Sequence, residues 1–141
     1  MTLYIKNPDG LPLEEFISLV LIPSIQRTFI DAIDSRRLYL IEKYINSLKI
    51  SENNKYIDLR SILISAIYNL VYKRTLDGNY IITIDATQKA VDISAKIIDI
   101  AHMVNYGTLS TPAYPIFDDV FSYFSDKLRD LYTGYCQGEF N

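Results

Sequence analysis

Apolar residues recur at three- and four-residue steps along most of this chain, and no other feature limits its fold so strongly. That spacing places them on one face of an α-helix, and such a face must be buried against other elements. Leu59, Leu63, Ala66, Ile67 and Leu70 make one stripe, which predicts a helix over about 57–73. Ala90, Ile93, Ile97, Ile100/Ala101 and Val104 make the clearest one, over 86–106. Asp85 followed three positions later by Gln88 resembles a capping box at its start, Asp92 and Lys96 form an i,i+4 pair on its outer side, and Gly107 stands where it ends. After Pro115 the residues Phe117, Phe121, Phe124, Leu128 and Leu131 repeat every seven positions as a seam, with Asp118, Asp119, Ser122, Asp126 and Arg129 away from it.

The first helix reads differently. Leu13 to Ile22 is apolar nearly all round, as in a helix buried on several sides or covered by a partner. Pro12 suits its first turn, and Glu14 and Glu15 suit the positive end of its dipole. Pro23 lacks an N–H and crowds the preceding turn, so the helix is expected to kink or restart there, with Ser24 as a candidate cap. Ile25, Phe29 and Ile33 continue the stripe, and Leu38, Ile41, Ile45 and Leu48 form another after Asp34-Ser35. The pattern leaves open whether 24–49 is one helix or two.

Two segments read as strands. Residues 2–6 alternate and then meet Asn7-Pro8-Asp9-Gly10, a type I turn sequence. Tyr80-Ile81-Ile82-Thr83-Ile84 is β-branched and aromatic, follows a turn at Leu76–Asn79, and can pair with 2–6 or fold back on 72–75. The fold class expected is mainly α: a helical bundle of about four to five helices with a kinked first helix and a short β-ribbon of residues 2–6 and 80–84. At 141 residues with 49% hydrophobic and 22% charged content, the chain suits one domain, expected over 1–132 with a flexible C-terminal tail at 133–141.

Charge and cysteine content narrow the function. A net charge of -3 argues against a broad basic footprint for nucleic acid, and Arg36-Arg37 with Lys43 and Lys49 reads as a solvated helix face. The single Cys136 excludes a disulfide within the chain and fits a reducing compartment. Phe16–Ile22, the most apolar run, is far short of the roughly 20 residues a bilayer needs, and Met1–Ile5 lacks the basic start of a secretion signal. No membrane association is expected.

Nor is catalysis. His102 follows Asp99 on the 86–106 helix, an arrangement that orients a general base or, equally, a surface pair near a helix end. Asp118 and Asp119 diverge by about 100° on a helix and suit its first turn better than a shared cation. P-loop, dinucleotide-binding, zinc-protease and EF-hand patterns are missing, so no catalytic residue, metal or cofactor is assigned. The twelve tyrosines fit partner contact, since Tyr has an apolar body and a polar tip, and equally fit an AT-rich coding sequence.

Asn105-Tyr106-Gly107-Thr108-Leu109 closing one helix, and Pro115-Ile116-Phe117 to Leu131-Tyr132 forming the next, give the chain a likeness to a known group. Over residues 86–132 it resembles small helical virion proteins of tailed bacteriophages, of the head–tail connector and neck kind. The resemblance implies a non-enzymatic structural subunit of an oligomeric ring or connector, located in the virion, assembled in the host cytoplasm, and partnered by copies of itself and other virion proteins. The contact residues expected from the apolar faces are Phe117, Phe121, Phe124, Leu128, Leu131, Tyr132, Phe16 and Val20. The competing expectation is a regulatory or adaptor module that binds another protein through its aromatic C-terminal helix.

Overall fold

The computed structural model describes residues 1–35, 59–87, 96–109 and 113–138. The order is β1 (Leu3–Ile5), α1 (Glu14–Ser35), α2 (Leu59–Tyr68), β2 (Leu70–Arg74), β3 (Tyr80–Ile84), α3 (Ile97–Tyr106) and α4 (Ile116–Cys136). The fold is mainly α with a small antiparallel sheet. The stripe at Leu38–Leu48, the basic residues Arg36, Arg37, Lys43 and Lys49, and Gln88, Ala90, Asp92 and Ile93 lie outside the described residues.

Pro23 does not restart α1. The irregularity it demands appears just before it as a π turn, Ile17–Leu21, after which the helix runs on to Ser35 with Ser24 inside it rather than capping it. A proline cannot donate to the carbonyl four residues back and its ring pushes that carbonyl aside, and a wider turn relieves both problems. The unbroken helix has the length and composition of a membrane-crossing segment, longer than the sequence pattern led us to expect. Its apolar side is enclosed: Phe16, Ile17, Val20, Leu21, Ile25, Phe29 and Ile33 are all buried.

The four described helices touch in a closed circuit, α1 on α2, α2 on α3, α3 on α4, and α4 back on α1. Leu63, Ala66 and Ile67 of α2, Ile97, Ile100, Ala101 and Val104 of α3, and Phe117, Val120, Phe121 and Phe124 of α4 fill the space between. The Phe29 and Phe117 rings meet at 4.6 Å where α1 crosses α4.

One boundary differs from the sequence expectation. The helix predicted over 57–73 ends at Tyr68, and the chain enters β2. Val71 and Tyr72 are β-branched and aromatic, and pairing with β3 overrides the residual helical spacing. Of the helix predicted over 86–106, the described part runs from Ile97, with Lys96 before it extended at φ -68° and ψ 143°; its expected pairing with Asp92 falls outside the described residues. Asp85 accepts hydrogen bonds from the Thr87 N–H at 2.9 Å and hydroxyl at 2.7 Å, a local turn, while Gln88, the other half of the expected capping box, lies outside the described residues.

The expected ribbon is one strand larger. The strand order is β1-β3-β2, so β3 pairs both with residues 3–5 and with 70–74. Asn7, buried, fastens the first turn to the β2–β3 hairpin. Its N–H donates to Asn79 Oδ1 at 2.8 Å, and its Nδ2 donates to the Leu11 and Gly78 carbonyls at 2.9 and 3.1 Å. Gly78 turns the hairpin at φ 84°, a backbone region that costs other residues strain.

α4 starts behind Pro115, which has no side chain able to cap it. The cap comes from α3. Buried Asn105 accepts the N–H groups of Phe117 and Asp118 through Oδ1, both at 3.1 Å, and donates to Asp118 Oδ2 at 2.9 Å. Gly107, at φ 77°, then turns the chain out of α3. Asn105→Ala strands two helix N–H groups and a carboxylate oxygen, and is expected to cost about 2–3 kcal/mol of unfolding free energy in urea titration. A loss below about 0.5 kcal/mol would show that α4 does not depend on this cap.

Candidate functional site

The structure spends most of the expected contact residues on its own core. Phe16, Val20, Phe117, Phe121 and Phe124 are buried, and Leu128, Leu131 and Tyr132 are partly buried against them. Phe16 receives the Tyr132 ring edge-on at 5.3 Å and the Tyr135 ring at 5.6 Å. Helix α4 therefore runs to Cys136, and residues 133–136, expected in a flexible tail, form its anchored last turn. Burying each such side chain contributes about 1.5–3 kcal/mol, more than a partner contact returns after exposing it. The seven-residue seam is an intramolecular one.

The polar candidates separate. His102 and Asp99 are exposed on α3, and among the described residues no hydrogen bond or ion pair joins them; the His102 ring lies 5.3 Å from that of Tyr106. Asp118 is half-buried and Asp119 exposed beside it in the first turn of α4. The Met1 ammonium sits 2.9 Å from Asp118 and donates to the Tyr106 hydroxyl at 2.8 Å, so β1, α3 and α4 meet there. Burial by itself raises the Asp118 pKa, but the hydrogen bonds from the Met1 ammonium and Asn105, with the charges of Met1 and His102, bring it below the ordinary 3.8. Among the described residues no cluster of three His, Cys, Asp or Glu side chains is arranged to hold a metal ion.

Near the hairpin, the buried Tyr80 hydroxyl lacks a well-formed hydrogen bond. It nevertheless lies close enough to the Glu14 carboxylate to be the main influence holding that group below its usual range, with Arg74 contributing charge from 3.7 Å. The contact is long or poorly aligned, and proximity alone is enough to influence the titration of Glu14.

Among the described residues two surfaces remain open. The first is the far edge of β2. The Asp85 N–H donates to the Asn69 carbonyl and the Thr75 N–H to the Asn79 carbonyl, both at 2.8 Å. Hydrogen-bonded pairs alternate in antiparallel strands, so Val71 and Lys73 turn their backbone groups toward β3. Leu70, Tyr72 and Arg74 turn theirs outward, where the described strands place nothing. Residues 71–74 are all exposed, whereas α4 packs beside the opposite edge strand, β1. The outer sheet face adds Tyr4, 67% exposed, in register with Ile81, and Val71 in register with Thr83. The second surface is a groove of about 330 Å³ between α1 and α4.

The chain matches no known protein family, no curated protein and no solved structure.

Asp118 gives this region a pH signature. Its folded pKa lies below its unfolded one, so its contribution is fully present above about 3.8 and is lost as pH falls through the folded value. Asp118→Asn is expected to lower urea stability at pH 7 and to approach the parent chain at pH well below 3.8, once the parent carboxyl is protonated in the folded state too. An equal deficit at both pH values would assign the loss to packing instead.

Proposed function

We propose that this chain is a non-catalytic structural subunit whose copies join edge to edge through β2. The observation that carries the reading is the pairing of one covered sheet edge with one edge that no described residue pairs, at which Leu70, Tyr72 and Arg74 point backbone donors and acceptors outward. An unpaired edge is a template for another strand. A second copy suits it well. Two antiparallel β2 strands centred on Tyr72 set Lys73 opposite Val71 and Arg74 opposite Leu70, so no like charges face each other. Exposed Val71 and Tyr72 flank this edge, one on each face of β2.

The magnitudes favour a concentration-dependent assembly. Each strand hydrogen bond nets about 0.5–1.5 kcal/mol, against an association cost of about 4–15 kcal/mol. A five-residue edge with a small apolar face leaves a modest surplus. In this reading α1 serves the core rather than a bilayer, since its apolar stripe is already enclosed. A ring or connector of a tailed-phage virion, the setting that the resemblance implies, requires a head-to-tail contact in addition, because a two-fold pair closes on itself. The adaptor reading loses its support, because the aromatic seam of α4 faces inward.

Sedimentation across a wide concentration range is expected to show a monomer passing to a multimer of defined mass: a dimer for edge pairing alone, a larger closed multiple for a ring. Tyr72→Pro removes an outward N–H that the β2–β3 ladder does not use and is expected to abolish association, while Tyr72→Thr retains it. A parent chain that stays monomeric at every concentration, or a Tyr72→Pro chain that assembles like the parent, would refute the proposal.

A further inference from the structure

The groove between α1 and α4 brings two cations together on an acidic chain. Arg27 stands on the α1 wall and Lys127 on the α4 wall. Among the described residues Arg27 has neither an ion pair nor a hydrogen bond, and Lys127 rests 6.0 Å from the centre of the Tyr123 ring. Ser24 and Thr28 are one helical turn apart on α1, so their hydroxyls line the same wall as Arg27. Buried Phe124 and half-buried Leu131 supply an apolar floor. Charged donors, hydroxyls and an apolar floor border an open space of about 330 Å³, at the small end of ligand-site volumes.

We propose that this groove binds a small phosphate ester, with its phosphate between Arg27 and Lys127 and its organic body on Phe124 and Leu131. Phosphate fits the donor set better than carboxylate. It presents three peripheral oxygens to a guanidinium, an ammonium and two hydroxyls, and the guanidinium fork suits it geometrically. Asp130 also lines the groove, leaving one net positive charge from Arg27, Lys127 and Asp130 together. That carboxylate repels a bare anion and accepts a hydroxyl or amine of an organic body, which favours a monoester over a free polyphosphate. Asp31, one turn beyond Arg27, lines with it a neighbouring groove of about 260 Å³, and no ion pair joins the two among the described residues.

The experiment is a titration of the full chain with phenyl phosphate and, separately, inorganic phosphate, followed by amide chemical shifts. Saturable shifts confined to residues 24–28 and 123–131 are expected, with phenyl phosphate at least tenfold tighter than inorganic phosphate and both weakening as salt rises. Arg27→Gln with Lys127→Gln is expected to lose at least tenfold in affinity, and Asp130→Asn to bind inorganic phosphate more tightly. All three positions are exposed, so unchanged circular dichroism confirms the fold of each variant. Absent shifts, shifts elsewhere, or unchanged affinity in the double variant would overturn the assignment. The groove is built from helices alone, so Tyr72→Pro should bind as the parent does, which separates failure here from failure of edge pairing.

Discussion

Enclosing helix α1 is the constraint from which the remaining architecture follows. Its buried residues Phe16, Ile17, Val20, Leu21, Ile25, Phe29 and Ile33 run the length of the helix, and no single neighbour covers them all. α2 packs along one side and α4 along another, meeting the C-terminal half through Phe29 and Phe117 and the N-terminal half through Tyr132 and Tyr135. α3 closes the circuit between them. The π turn before Pro23 keeps the helix continuous, so both halves of the stripe serve one core. A break at the proline would have divided it.

Once α1 is enclosed, the polar fastenings have defined tasks. Asn105 caps α4 from α3 because Pro115 cannot, and its other bond steadies Asp118. Asn7 joins the opening turn to the β2–β3 hairpin and has its amide oxygen and nitrogen both used. Both side chains are buried and hydrogen-bonded, which makes them expensive to lose and suited to holding one arrangement. The Tyr80 hydroxyl, near Glu14 but poorly bonded, is the looser member of this set.

The surfaces left over carry the functional reading. With the aromatic seam of α4 turned inward, an assembly proposal rests on backbone geometry at β2 instead of on apolar side chains. Backbone edges recognise strands without demanding a particular sequence, and that suits a subunit meeting its own copies. The α1–α4 groove lies away from the sheet and offers charge where the edge offers hydrogen bonds. The two surfaces are chemically distinct and can operate together.

Periodicity alone marked the apolar positions that the core uses: Ile25, Phe29, Ile33, Leu63, Ile67, Ile97, Val104, Phe117, Phe121 and Phe124 were legible as helix faces, and residues 3–5 and 80–84 as strands. The reason is that a period of 3.6 or 2 is a local property of the chain. Tertiary structure decided what each face packs against, because a seam looks the same whether its partner is α1 or another molecule. It also decided that 70–74 is a strand, since pairing with β3 outweighs local propensities of a few tenths of a kcal/mol. Asn105 as a remote cap, the open edge of β2 and the Arg27–Lys127 groove left no sequence signal apart from the missing cap residue before α4. Each joins positions that only the folded chain brings together.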